Sequence, residues 1–391
     1  MSKKNQTPVI DEETVAVPEK KAKKKKKKGS GWFGRLVRRF FLLVFTVIFL
    51  AAGALILVMN LIFNGPSPAM RDTLTMSLIE ASATKWVPAL FIGEETVAQI
   101  RESVKGAELP QDVSTSTQVV IQKGNAINAT SDEWANYPDG IRFEEYAGST
   151  YNAHIMIVRD PSTVYIGVSN ENGFSRNVPG KRITEMMEST PDAVAAVNAG
   201  AFFDNGTSDP SVGSTPEGLV YSEGACVWST GAPPNGITGF AGFNEDDVLV
   251  VSKKNIGKKE AEELNIRDGC CFGPVLLMDG EVNMEAYNNK SGLNPRTAIG
   301  QRADGAVIFV CIDGRQPSSM GGEYSDIIDI MVEYGAVNAC NMDGGSSSVM
   351  MYRDTEGRYG TAGEVKMMNS YSLLQSQPRK MPNFWMVRSA E

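Results

Sequence analysis

Residues 40–63, FFLLVFTVIFLAAGALILVMNLIF, run for 24 residues without a charge, and only Thr46 and Asn60 are polar. At 1.5 Å rise per residue a helix of that length covers ~36 Å, enough for a ~30 Å hydrocarbon core with some tilt. Nothing later in the chain constrains its folding as strongly. A Lys run from Lys20 to Lys28, broken only at Ala22, precedes the span, followed by Arg35, Arg38 and Arg39. The positive-inside rule makes 1–39 a basic cytoplasmic tail, 40–63 a single transmembrane helix and 64–391 extracytoplasmic. A cleaved signal peptide is the rival reading. It fits less well, because the run is too long and starts near residue 40, although Pro66 and Pro68 follow it. Beside a span, the Lys run reads as topogenic charge with affinity for anionic lipid rather than as a nuclear signal or nucleic-acid arm.

The first 63 residues carry 13 Lys/Arg against 4 Asp/Glu, which leaves 25 against 42 and a formal charge of −17 for the rest. An acidic body of that size cannot neutralise phosphate backbones in bulk, so no nucleic-acid partner is expected. Membrane lipid around the helix is the one partner this layout implies. All five cysteines, Cys226, Cys270, Cys271, Cys311 and Cys340, lie beyond the span. Their spacing fits no zinc motif. Cys311 and Cys340 sit in apolar runs and read as small buried hydrophobes. The odd count leaves at least one unpaired or paired between chains.

Residues 64–140 read as a stalk and linker. Met70, Leu74, Leu78 and Ala81 recur at helical spacing, as do Val97, Ile100 and Val104 beyond an expected break at Pro88. Residues 106–140, rich in Ser, Thr, Asn, Gln and Gly, form the linker. From about residue 141 short apolar runs alternate with Gly, Asn and Asp turns, which predicts strands. Asp279-Gly280 and Asp304-Gly305 are hairpin signals. Helices are predicted over 181–189 and 323–334, the second ending at Gly335. The expected class is α+β: a mixed, largely antiparallel sheet domain over 141–391 with flanking helices, preceded by the transmembrane helix and helical stalk.

Three segments put polar residues at the ends of apolar strands. In 195–204 the strand ends at Asn198 and small residues follow. In 311–315 Asp313 and Arg315 follow an apolar run. In 341–348 Asp343 precedes Gly344, Gly345 and three serines. A lone Asp before a Gly-rich turn is a turn former. Three such ends, with Asn294-Pro295-Arg296-Thr297 added, point instead to an oxyanion or phosphate site beside carboxylates. Arg296 and Arg315 suit phosphate oxygens. Gly344, Gly345 and Ser346 suit an amide nest with hydroxyl support. Asp313 and Asp343 suit a general base, a nucleophile or a sugar-hydroxyl ligand. His154 is the only histidine, so His triads and His-based metal sites are excluded, and His154 itself reads as structural. Walker A, Rossmann and GxSxG signatures are lacking. Asp204, Asn205 and Asp209 make an acidic loop, read as solvated rather than as a Ca²⁺ site, since the spacing is not an EF-hand. No metal and no cofactor are expected.

At VNAGAFFD (197–204), FGPVLLMDG (272–280), NPRTAIGQRADGAVIFVCIDGRQPSSMG (294–321) and YGAVNACNMDGGSSSVMMY (334–352) the chain resembles the phosphodiester glycosidase family, over roughly 141–391. The resemblance implies a hydrolase that cleaves a sugar-1-phosphodiester between the anomeric carbon and a phosphate oxygen. Its substrate would be a phosphorylated glycan or glycopolymer at the cell surface. Carried over position by position, it implies catalytic roles for Asp313, Asp343 and Glu217. It implies substrate contacts for Asn198, Gly200, Arg296, Thr297, Arg315, Gly344, Gly345, Ser346 and Arg379. Ala201 and Phe202 replace a Gly and its neighbour in the family pattern, which would narrow the pocket. The stretch before Arg379, with Gln377-Pro378, also departs from it. The alternative reading is a non-catalytic protein that binds or assembles phosphate-containing polymers with the same groups.

Overall fold

The computed structural model describes residues 32–80, 84–103, 109, 111–115, 118–119, 132–203, 212–230, 238–371 and 377–389. The Lys20–Lys28 run, the acidic loop at Asp204, Asn205 and Asp209, and most of the linker's middle lie outside the described residues. The chain divides into two compact units, residues 1–58 and 59–391.

Helix α1 spans Trp32–Asn64. It starts before the apolar run and takes in Arg35, Arg38 and Arg39, because no proline stands between Trp32 and Phe40 and Gly34 alone is tolerated. Its large side chains, such as Phe45 at 74% and Phe49 at 71%, are exposed, as the surface of a lipid-facing helix is. Helices α2 (Pro68–Glu80) and α3 (Val87–Ser103) follow. Pro88 is not the break between them. It sits in the first turn of α3, where a missing N–H costs nothing. The kink in α3 falls instead at Gly93, whose φ is 77°.

Every strand pairing among the described residues is antiparallel, and the strands form three main sheets. The seven-stranded sheet runs, in spatial order, Ile141–Ala147, Asn152–Val158, Val307–Ile312, Arg296–Arg302, Ala336–Met342, Val275–Met278 and Glu281–Val282. A five-stranded sheet holds Leu249–Ser252, Phe240–Asn244, Ile266–Cys270, Leu219–Ser222 and Ala225–Ser229. A second holds Val365–Met367, Met350–Arg353, Ala193–Asn198, Asn383–Arg388 and Val164–Val168.

Period-two alternation divides each strand between two cores. Val307, Phe309 and Cys311 face a central core shared by all three sheets. Ile308, Val310 and Ile312 face the helix Tyr324–Glu333, which answers with Ile327, Ile328, Ile330 and Met331. Both faces of the large sheet are thus covered, which is why its strands read as continuous apolar runs. The linker's described ends are pinned to this body. Ser114 N–H donates to the Val251 carbonyl at 2.9 Å, and Trp134 is buried.

Candidate active site

Strand ends and loops from all three sheets meet at a cavity of about 610 Å³. Three backbone features shape it. The chain turns just beyond the strand Ala336–Met342, where Asp343 N–H donates to the Ala199 carbonyl at 3.1 Å. Gly344 packs so close to the start of Arg296–Arg302 that a Cβ would lie 2.8 Å from the Pro295 carbonyl. Gly345 has φ 63°, and a Cβ there would sit 3.2 Å from the Arg315 guanidinium. Glycine at both positions lets backbone reach the cavity wall.

Asn198 organises this corner from behind. It is fully buried, and its Nδ2 donates to the Asp343 carbonyl oxygen at 2.6 Å. Its Oδ1 accepts from Thr297 Oγ1 at 2.9 Å and from Val349 N–H at 3.1 Å. Asn198 and Thr297 therefore position the Asp343 turn and do not line the cavity. Gly200 is also behind the wall. Its N–H donates to Asn383 Oδ1 at 2.9 Å, and a Cβ would crowd Cys270.

Of the residues expected to act, Glu217, Arg296, Arg315, Asp343, Gly344, Gly345 and Arg379 line the cavity, and Asp313 and Ser346 do not. Asp313 is buried, with Oδ2 3.0 Å from His154 Nε2 and Oδ1 accepting from Ser370 N–H at 3.0 Å. Spacing of two predicts a shared face for Asp313 and Arg315, but the strand ends at Ile312 and Arg315 adopts φ 57°. The turn sends the guanidinium to the cavity and the carboxylate to His154. The expected amide nest is partly taken up. Gly344 N–H donates to Asp343 Oδ1 at 2.9 Å and Gly345 N–H to the Pro295 carbonyl at 2.9 Å.

Anion affinity therefore rests on side chains. Arg296 is 4% exposed, held by Nε to the Gly322 carbonyl at 3.1 Å and by Nη2 to Ser291 Oγ at 2.8 Å. Its guanidinium stacks 4.3 Å from the Tyr324 ring centre. Arg315 Nη2 donates to Asn294 Oδ1 at 3.1 Å. The Arg379 guanidinium lies 4.7 Å from the Phe202 ring centre. Lys85, from the turn before α3, adds a fourth cation. Among the described lining residues these four face two carboxylates, Glu217 and Asp343. Glu217, at 1% exposure, is buried and Asp343 half-buried. A local basic surface thus stands inside an acidic body. Tyr371 feels it: burial pushes its phenol up, and Arg379, Arg182 and Arg315 push back. Among the described residues no three metal-type ligands gather.

Lys85, Ile79, Tyr324 and Asn341 escaped the sequence reading. Asn341 had a signal, since it is a polar residue at the end of the apolar strand Ala336–Met342, two positions before Asp343. Its Nδ2 donates to the Gly273 carbonyl at 2.9 Å, while its buried Oδ1 has no hydrogen-bond partner among the described residues. Lys85 and Ile79 come from the expected stalk, which carried no hint of a place in the site.

The phosphodiester glycosidase family profile matches residues 191–388. A 203-residue stretch is 26% identical to the SPbeta prophage-derived uncharacterized protein YomE of Bacillus subtilis (strain 168), covering 51% of this chain and 28% of that protein. The chain thus spans less than a third of the length of that relative. Among solved structures, the zebrafish N-acetylglucosamine-1-phosphodiester alpha-N-acetylglucosaminidase catalytic domain, auto-inhibited by its pro-peptide, is similar at 20% identity and TM-score 0.48. That match covers 66% of this chain and 85% of that one. A hypothetical protein from Synechocystis is similar at 14% identity and TM-score 0.41, over 63% and 61% of the two chains. The profile takes in Asn198, Glu217, Arg296, Arg315, Asp343 and Arg379, and spans just over half of the sequence, so this chain belongs to the phosphodiester glycosidase family.

Proposed function

We propose that the protein is a membrane-anchored, extracytoplasmic hydrolase that cleaves a sugar-1-phosphodiester in a cell-surface glycan or glycopolymer. One observation carries this reading: a cavity in the family-matched region where three arginines meet two carboxylates. The anchor reading rests on α1, whose charge-free stretch is flanked by a dense cluster of cations on its N-terminal side and by Arg71 alone close to its C-terminal side.

Arg296, Arg315 and Arg379 hold the phosphodiester and stabilise charge as it develops on the departing oxygen. The bond between C1 and the bridging oxygen breaks, and the phosphate keeps that oxygen and the electron pair. A phosphomonoester is a good leaving group, so no strong acid is needed there. Water adds to C1, losing one proton to a carboxylate, and the products are free sugar and phosphomonoester. Asp343 and Glu217 divide the remaining work: one steadies the oxocarbenium-like centre, the other takes the proton of water. Asp343 is placed for such work by the Asn198 and Thr297 bonds behind it. Asp313, bonded to His154, is a positioning group in this scheme. Asn198, Thr297, Gly200 and Ser346 act by shaping the wall.

The test is incubation of the full chain in detergent with the methyl diester of GlcNAc-α-1-phosphate and with p-nitrophenyl-GlcNAc. Sugar release from the diester alone supports the reading. Asp343→Asn should lower kcat by about 10²–10⁴-fold with the melting temperature retained. Full activity in a folded Asp343→Asn protein would remove Asp343 from the reaction. Failure to release sugar from either compound would favour the binding or assembly reading.

A further inference from the structure

A second cavity, about 580 Å³, adjoins the first, within the usual size range of ligand sites. Ile62, Met70, Leu74, Leu293 and Met320 make most of its wall. Thr73 and Ser77 bring hydroxyls, and Ser77 Oγ is already committed to the Leu293 carbonyl at 2.9 Å. Among the described lining residues Arg315 is the only charged one, and it alone of them lines both cavities. The partition between them is thin. Leu293 faces the apolar side and Asn294 the polar side, while Ser77 and Ile79, both on α2, divide in the same way. Met70 and Met320 are 57% and 53% exposed, so the apolar cavity has a large apolar rim open to the surroundings.

We propose that this cavity holds an aliphatic chain esterified to the phosphate, so that the substrate class is a lipid-linked sugar-1-phosphodiester. The inference deepens the glycosidase reading and rests on it. Three features favour an alkyl or prenyl occupant over a polyol or a peptide. Five of the eight lining residues are large and apolar, and of the two hydroxyls Ser77 is already bonded, so the wall suits a hydrocarbon better than a hydrophilic aglycone. Arg315 stands at the junction, where a phosphate joining sugar to lipid would lie. Ile62 belongs to the last turns of α1, the apolar helix, so the cavity forms where the chain leaves a bilayer. At ~30 Å³ for a water-sized group, the volume accommodates a chain of on the order of fifteen carbons. Hydrolysis then breaks the C1–O bond as above, water supplies the new C1 hydroxyl, and the lipid leaves as its phosphomonoester, bridging oxygen retained.

The test reads binding, so it does not depend on turnover or on the sugar. Full-length protein in phosphatidylcholine nanodiscs is titrated calorimetrically with methyl phosphate and with n-octyl phosphate. Burial of a methylene favours binding by about fourfold, so burying even half of the seven extra methylenes should make octyl phosphate bind roughly a hundredfold more tightly or better. Leu74→Trp, which fills the cavity, and Met320→Asp, at an exposed rim position that tolerates a charge, should each reduce that ratio to a few-fold. Equal binding of the two phosphates overturns the proposal. So does an octyl preference that survives both variants, since it would then come from partition into the bilayer. Hydrolysis of the methyl diester, assayed in parallel, reports separately on the glycosidase reading. A chain without that activity but with cavity-dependent octyl binding would lose the catalytic assignment and keep the lipid-phosphate site.

Discussion

Asp313 and Asp343 look alike in the sequence, each an Asp-Gly pair at the end of an apolar strand, yet the fold uses them differently. The Asp313 carboxylate accepts from Ser370 N–H and faces His154, all away from the cavity. Asp313→Ala would leave the Ser370 N–H, the half-buried His154 imidazole and the buried Asn369 amide without this acceptor. It should lower unfolding free energy by roughly 2–4 kcal/mol, measurable by urea titration. Asp343 is half-buried at the cavity wall, and Asp343→Asn keeps an oxygen for the Gly344 N–H, so stability should change by less than about 1 kcal/mol there. The contrast explains where legibility in the sequence stops. Residue type and strand-end position singled out Arg296, Arg315 and Asp343, and the family resemblance added Arg379 and Glu217, all of which line the cavity. They did not show which way a side chain turns past the end of a strand, and at Arg315 a positive φ decided that.

Helix and strand positions were legible where a periodic signal was long. The helix Tyr324–Glu333 and its stop at Gly335, φ 79°, follow from Ile327, Ile328 and Met331 on one face. Asp279 and Gly280, at φ 50° and 81°, form the expected tight turn. The helices Lys258–Glu263 and Met284–Asn288 were missed, because a helix that short has almost no period to read and exists through its packing. Order within the sheets was not legible either, since strands covered on both faces carry no alternation that assigns a face. One packing detail is testable. A Cβ at Gly300 would lie 2.8 Å from Met331 Sδ and 3.1 Å from the Asn338 carbonyl, so the helix sits directly on that glycine. Gly300→Val should lift the helix and cost about 1–3 kcal/mol, read as a lowered urea midpoint. A second element-level contact depends on pH. Burial alone pushes Glu133 up, but Arg302 at 2.8 Å and Arg142 at 3.1 Å outweigh it and hold its carboxyl below the usual range. A lowered folded pKa gives stability that is complete above the unfolded value, ~4.3, and lost as pH falls below it. The fall in melting temperature from pH 5 to pH 3 should therefore be shallower in Glu133→Gln than in the parent.

Across the whole molecule, the five thiols report on both burial and topology. All five are free, and Cys270, Cys271, Cys311 and Cys340 are buried. Burial pushes Cys271 up to about 11, so its thiolate is scarce near neutrality. Cys226 is the exception, only partly buried. A membrane-impermeant maleimide should label one thiol, Cys226, on intact cells and all five after denaturation. Failure to label Cys226 unless the cells are opened would reverse the proposed orientation. The charge layout carries a related lesson. An acidic body of formal charge −17 looks wrong for an anionic substrate, and the sequence had no means of showing that its cations gather at one cavity. That gathering needs α2 and the turn after it, since Ile79 and Lys85 complete the wall. Helix α2 begins only a few residues beyond the end of α1, at most ~15 Å of extended chain. In the proposed anchored enzyme the wall of the site would be tethered close to lipid, and the search for substrate would cover a plane rather than a volume. Its turnover would then follow the number of substrate molecules per unit area of membrane, and diluting the surrounding medium would leave its rate unchanged.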